Sequence, residues 1–110
     1  MSDVLLVFCT FPDIGKARSI GIALVESHLA ACVNLCPAIE SIYHWQGQVE
    51  SSVEVLAIFK TTSATYPAFE SRLRELHPYE VPEIVALRPD QVSETYARWI
   101  HASVLVSSGV

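Results

Sequence analysis

"AACVNLCPAIESIYHWQGQVESSVEVLAIFKT", residues Ala30 to Thr61, contains two long apolar stretches joined by the polar segment "WQGQ". Proline lacks the N–H that a strand ladder uses, so Pro37 predicts a bulge, a bend or an edge position in the first stretch. Beyond Pro37, side chains alternate. Ile39, Ser41, Tyr43 and Trp45 fall on one face, and Glu40, Ile42 and His44 on the other. In the return stretch, Val49 to Thr61, the alternation places Val53, Val55, Ala57 and Phe59 on one side and Glu54, Leu56, Ile58 and Lys60 on the other. Two alternating segments about a Gly-containing turn predict one extended β-hairpin.

Upstream, Val4 to Cys9 is a continuous apolar run closed by "TFPD", as in a buried strand that ends in a turn. Asp13 suits the N-cap of a helix through about His28, because its carboxylate accepts the free amides of a first turn. Ala17, Ile20, Leu24 and Ser27 line one face of that helix, and Ile22, Val25 and Leu29 widen its apolar stripe. Gly21 in its middle costs about 1 kcal/mol relative to alanine, which close packing against a sheet would explain.

Downstream, Ser63 or Thr65 caps a second helix with Pro67 in its first turn, and Phe69, Leu73 and Leu76 form its buried side. Glu70 and Arg74 stand in the favourable i,i+4 order. "HPYEVPEI", His77 to Ile84, then stops the helix, since its two prolines fix backbone angles and push their neighbours toward extended conformations. Ile84 to Leu87 predicts a short strand. Gln91 to about Val104 predicts a third helix with Val92, Tyr96, Trp99, Ile100 and Val104 on its apolar side, and "SSGV" predicts a frayed end. The order strand, helix, strand, strand, helix, strand, helix is an α+β, ferredoxin-like β-α-β-β-α-β layout with an extra C-terminal helix. A chain of 110 residues makes this one domain, residues 1–110.

Composition bounds the partners. The chain is 51% hydrophobic and carries 12 acidic against 7 basic side chains. So few charges on a small domain, with a second sheet face left for only one more helix to cover, predict self-association. A net charge of −5 and the lack of any basic run argue against nucleic acid. Asp3 precedes the first apolar run with no positive region before it, unlike a secretory signal, and no apolar run approaches the ~20 residues of a membrane span. A cytoplasmic location is expected. Cys9, Cys32 and Cys36 are an odd set and are expected as reduced thiols.

Chemistry-bearing candidates are few. Cys32 and Cys36 lie about 13 Å apart along a strand at ~3.3 Å per residue, too far to share zinc at ~2.3 Å bond lengths without a sharp bend. They are expected as slowly reacting core thiols. Cys9, at the C-terminal end of the first strand, and His77 offer a thiolate and an imidazole suited to copper or zinc, though either suits plain packing too. Glu54, Lys60 and His44 share the parity of one hairpin face, with Glu83 nearby in the turn, as a small polar pocket or a rim ion pair. Tyr43 and Trp45 are interface or core aromatics. No nucleophile triad, phosphate loop or paired acid and base has readable spacing, so no enzymatic activity is expected.

"LAACVNLCPAIESIYHWQGQVE", "EVLAIFKT" and "HPYEVPEI", with "TFPD" ahead of them and "YARWI" behind, resemble the CutA divalent-cation-tolerance family over nearly the whole chain. The resemblance implies a ferredoxin-like protomer in a closed homotrimer, similar in arrangement to PII signalling proteins. Long hairpins pair across subunits there and leave clefts between them. It implies a role in tolerance of divalent metals and weak binding of copper, ahead of zinc, with no organic cofactor. A mammalian relative is associated with anchoring acetylcholinesterase at membranes through an N-terminal extension that this chain is expected to lack. Carried over residue by residue, Cys9 and His77 are the metal candidates, and Leu76 stands where some relatives have a second histidine. Tyr43, Trp45, Glu54, Lys60, His77, Tyr79 and Glu83 match positions in or around the intersubunit cleft. The alternative is a PII-like module whose cleft takes a small molecule.

Overall fold

A computed structural model describes residues 3–105. The expected fraying at 107–110 lies outside the described residues. Seven elements follow in order: β1 (Val4–Phe11), α1 (Ile14–Glu26), β2 (Cys32–Trp45), β3 (Gln48–Thr62), α2 (Tyr66–Leu76), β4 (Ile84–Leu87) and α3 (Glu94–Ser103). The four strands form one antiparallel sheet in the order β2-β3-β1-β4. This is the ferredoxin-like arrangement with an additional C-terminal helix.

The hairpin turn is chemically specified. Gln46 and Gly47 both have positive φ, 51° and 79°, as a two-residue turn that matches strand twist requires. It sets Trp45 opposite Gln48. Nearer the core, Cys36 pairs with Leu56, whereas the next recorded pair is Ile39 with Glu54, so one surplus residue sits in β2 at Pro37–Ala38. Pro37 therefore occupies both a bulge and an edge strand. The distal hairpin extends beyond the rest of the chain. The radius of gyration is 14.6 Å, against about 13 Å for a compact chain of this length.

The core lies on one sheet face under α1 and α2. Leu5, Val7, Cys9 and Phe11 of β1 and Val55, Ala57 and Phe59 of β3 meet Ala17, Ile20 and Leu24 of α1 and Phe69 and Leu73 of α2. Asp13 caps α1 by accepting the Lys16 amide at 2.8 Å. Gly21 explains itself by proximity: a Cβ there would come within 3.1 Å of Val33 Cγ1 on β2. Ile22, expected in the stripe, is half exposed instead.

The opposite face is only partly covered. Helix α3 seats Ala97, Ile100 and Val104 on Val4 and Ala31, with Ser93 accepting the Tyr96 amide as its cap. Its expected apolar side is narrower than the pattern suggested. Tyr96 and Trp99 stack on each other, 5.6 Å between centroids, and remain exposed. Leu6, Phe8, Leu56 and Ile58 are only half-buried on this face, and Val85 and Leu87 are exposed. Cys32 and Cys36 belong here, on an edge strand, so both are half-buried free thiols and not core residues. Cys32 Sγ lies 3.6 Å from the Tyr96 hydroxyl.

Candidate functional site

Strand β1 ends at Phe11, while β3 continues outward past it as part of the projecting hairpin. The connector that follows α2 folds back across this step. His77, the C-cap of α2, begins the crossing with an extended backbone, φ −72° and ψ 135°. Its ring stacks on Phe11 at 4.7 Å with 19° between planes.

Both ring nitrogens of His77 have backbone partners. Nδ1 accepts the Tyr79 amide at 3.0 Å, which leaves the hydrogen on Nε2, 2.7 Å from the Thr10 carbonyl that accepts it. Burial pushes the histidine below its ordinary pKa, partly offset by the Thr10 bond and the Glu54 charge. His77 is thus a neutral clasp that ties the connector to the end of β1.

Tyr79 is the second fastening. Its hydroxyl donates to Glu54 Oε2 at 2.5 Å. Burial, the bond to Glu54 and that carboxylate's charge together hold the phenol well above its usual range, so it stays a donor. Glu54 is only 8% exposed. Among the described residues no basic side chain forms an ion pair with it.

Between the hairpin and the connector lies an open cavity of about 810 Å³. The hairpin wall presents Ser41, Tyr43 and Trp45 from β2 and Glu50 and Glu54 from β3, all facing the same way because β2 is registered on β3 beyond the bulge. The connector wall presents Tyr79, Glu80, Val81 and Glu83, and Thr10 lies at the step. Glu50, Glu80 and Glu83 are exposed. No lysine or arginine lines the cavity among the described residues.

Five of the expected site residues therefore meet on one cavity: Tyr43, Trp45, Glu54, Tyr79 and Glu83. Lys60 does not join them within the chain. It shares Glu54's face of β3, but six residues at ~3.3 Å each put it about 20 Å along the strand, and its ammonium bonds the Asn34 side chain instead. Parity alone cannot distinguish those positions. Cys9 lies beneath the site, fully buried between Ala57 and Ile84 in the sheet. Burial first, then the charges of Glu83 and Glu54, push its thiol up to about 12. Among the described residues no group of three or more His, Cys, Asp or Glu side chains stands close enough to hold a metal ion. Glu50, Ser41 and Glu80 were not singled out from sequence. The first two carry a signal, since pairing across the turn puts them on the face of Tyr43 and Glu54.

The sequence of CutA1 divalent ion tolerance proteins matches residues 5–103. The divalent-cation tolerance protein CutA of Thermus thermophilus is 46% identical over 100 residues, covering 91% of this chain and 95% of that relative. Protein CutA of Mus musculus is 46% identical over 99 residues, covering 90% of this chain but 56% of its own length. This chain thus spans about half the length of the mammalian relatives it matches. Among solved structures, the Thermus thermophilus divalent cation tolerance protein superposes with a TM-score of 0.90 at 43% identity, over 93% of this chain and 99% of that one. CutA from Xylella fastidiosa gives 0.91 at 38% identity, over 94% and 100%.

Proposed function

The chain belongs to the CutA1 divalent ion tolerance family, and from that premise we propose that it serves divalent-cation tolerance by receiving cations in the acidic cleft between hairpin and connector. Four carboxylates on one cavity, set against a single histidine, His44, and no lysine or arginine among the described residues, carry this assignment. A dication gains from every one of those charges, and Glu54 already lies in a position that solvent reaches poorly. An organic anion would face four carboxylates there, with Lys60 far along the strand and His44 the one basic residue lining the cavity among the described residues.

Among the described residues, one chain brings no three ligating side chains together. Water or a second copy must supply the remaining ligands, and we propose a closed homotrimer for that reason. Ile42, Val49 and Val53 on the projecting hairpin are about two-thirds exposed, and Val85 and Leu87 leave the open sheet face apolar. Such surfaces are what a permanent interface covers. Cys9 and His77 stand behind the carboxylates. Copper engagement there requires the thiol to lose a proton held to about pH 12 and the imidazole to give up a backbone bond. That pair is accordingly a weak copper site, and the carboxylates are the first receivers.

Titration calorimetry with manganese, zinc and copper separates these roles. Glu54→Gln and Glu83→Gln should weaken all three ions, whereas Cys9→Ser and His77→Ala should affect copper most. Binding indifferent to both glutamates would refute the cleft assignment. A monomer mass by light scattering at micromolar protein would refute the trimer.

A further inference from the structure

The acidic cleft has a second character that a metal ion does not use. Three aromatic rings, Tyr43, Trp45 and Tyr79, stand on its walls beside the carboxylates. Tyr43 and Trp45 are each about 40% exposed although they face the cavity, so their rings offer contact area to an occupant. A small hard dication coordinates oxygens and gains nothing from ring faces. An alkylammonium ion gains from both, through charge on the carboxylates and cation–π attraction over the rings.

Glu54 adds an independent pointer. It is more than nine-tenths buried and lines the cavity. One of its oxygens accepts the Tyr79 hydroxyl, and its charge meets no basic side chain among the described residues. Buried carboxylates are normally matched by a cation. Glu50 shares the hairpin wall with it, and Glu80 and Glu83 stand on the connector wall. A ligand that satisfies both walls carries positive charge at two or more separated points and an apolar stem between them. The volume, about 810 Å³, is in the ordinary range for a small-molecule site, roughly 300–1,000 Å³.

We infer that the cleft binds linear aliphatic polyamines, with one ammonium group on Glu54, another on Glu80 or Glu83, and the methylene chain across Trp45 and Tyr43. This ligand class goes beyond the divalent ions assigned above and does not depend on any metal binding.

Spermidine is the probe, titrated into the full chain by calorimetry at about 150 mM salt, where diffuse charge attraction is screened within ~8 Å. Trp99→Phe provides a background in which Trp45 fluorescence alone reports occupancy. Binding should be saturable at one site per chain. Glu54→Gln should weaken it at least tenfold and Trp45→Ala several-fold, while Glu75→Gln, on the exposed flank of α2 beside Arg72, should leave it unchanged. Glu83→Gln repeats the test at an exposed position, where folding is not at stake. Butylamine, with one charge, should bind at least tenfold more weakly than spermidine. Equal affinity in Glu54→Gln, Glu83→Gln and Glu75→Gln would overturn the inference, as would full affinity after Trp45→Ala or a silent Trp45 signal.

Discussion

Tyr79→Phe isolates the fastening that joins the connector to β3. The substitution keeps the ring that packs 4.8 Å from His77 and removes only the hydroxyl, which donates to Glu54 Oε2 at 2.5 Å. The acceptor is a carboxylate with 8% of its surface exposed, so water restores little of what is lost. A hydrogen bond to a charged group contributes about 1.5–3 kcal/mol, and the little solvent that still reaches the carboxylate keeps the loss near the middle of that range. A loss of about 2 kcal/mol is therefore expected. With an unfolding entropy of about 2.1 cal/mol/K per residue, that is roughly 9 °C in melting temperature for a chain of this length. The same change made in a Glu54→Gln background should cost about half as much, since a neutral amide oxygen is a weaker acceptor. Denaturant unfolding of the four proteins at matched concentration measures the coupling, because any assembly adds its own concentration dependence. A cost below about 0.5 kcal/mol, or equal costs in the two backgrounds, would refute the view that this bond stabilises a buried charge.

Gly21→Ala should cost stability despite alanine's helix advantage of about 1 kcal/mol, because its Cβ meets Val33 Cγ1 at 3.1 Å and Val33 is stiff at χ1; in a Val33→Ala background the same change should become stabilising, as equilibrium unfolding would show. Alkali should weaken the fold through Cys9. Its folded value of about 12 exceeds the unbound 9.0, so its contribution is intact below pH 9 and lost as pH rises from 9 toward 12, at no more than about 1.4 kcal/mol per pH unit. Tyr66, Tyr79 and Tyr96 are raised too and act in the same direction, so the measurement is the difference in slope between the parent and Cys9→Ser. Thiol labelling of the native protein at pH 8 should modify Cys32 and Cys36 well before the fully buried Cys9; simultaneous labelling of all three would contradict the sheet placement. Val49→Asp should lower the oligomer mass or its melting temperature, because this exposed hairpin side chain belongs to the apolar surface the trimer is proposed to cover, and unchanged values of both would place the interface elsewhere.

Local chemistry made most of the fold legible. The Gln46-Gly47 turn, the Asp13 cap and the two prolines of the connector each act on their immediate neighbours, and the elements around them fall where those residues dictate. Pro37 announced an irregularity that the register bears out. Distance was harder to read than direction. Alternation correctly grouped Glu54 with Lys60 on a face but wrongly added His44, which the register pairs with Val49 on the other face; it also carried no information on separation, and Lys60 pairs with Asn34. Apolar periodicity overstated α3, since small Ala97 rather than Tyr96 allows the helix to approach the sheet. Of the two partners that fix His77, the Tyr79 amide is local, but the Thr10 carbonyl is 67 positions away in the chain and invisible to any local pattern. Threonines in the interior were likewise unforeseen. Thr61 is buried because its hydroxyl donates to the Leu29 carbonyl at 2.8 Å.

The surplus residue in β2 also bears on solubility. β2 is an outer strand of fourteen residues, long enough to template a stray chain along its free edge. The bulge divides that edge into two runs, Cys32–Cys36 and Ile39–Trp45, whose outward amides and carbonyls are out of step with each other. A regular incoming strand can match one run or the other, and Pro37 withholds an amide at the join. No ladder can therefore run unbroken along the whole fourteen-residue edge. An irregularity of one residue thereby shortens the regular edge that a stray strand could extend.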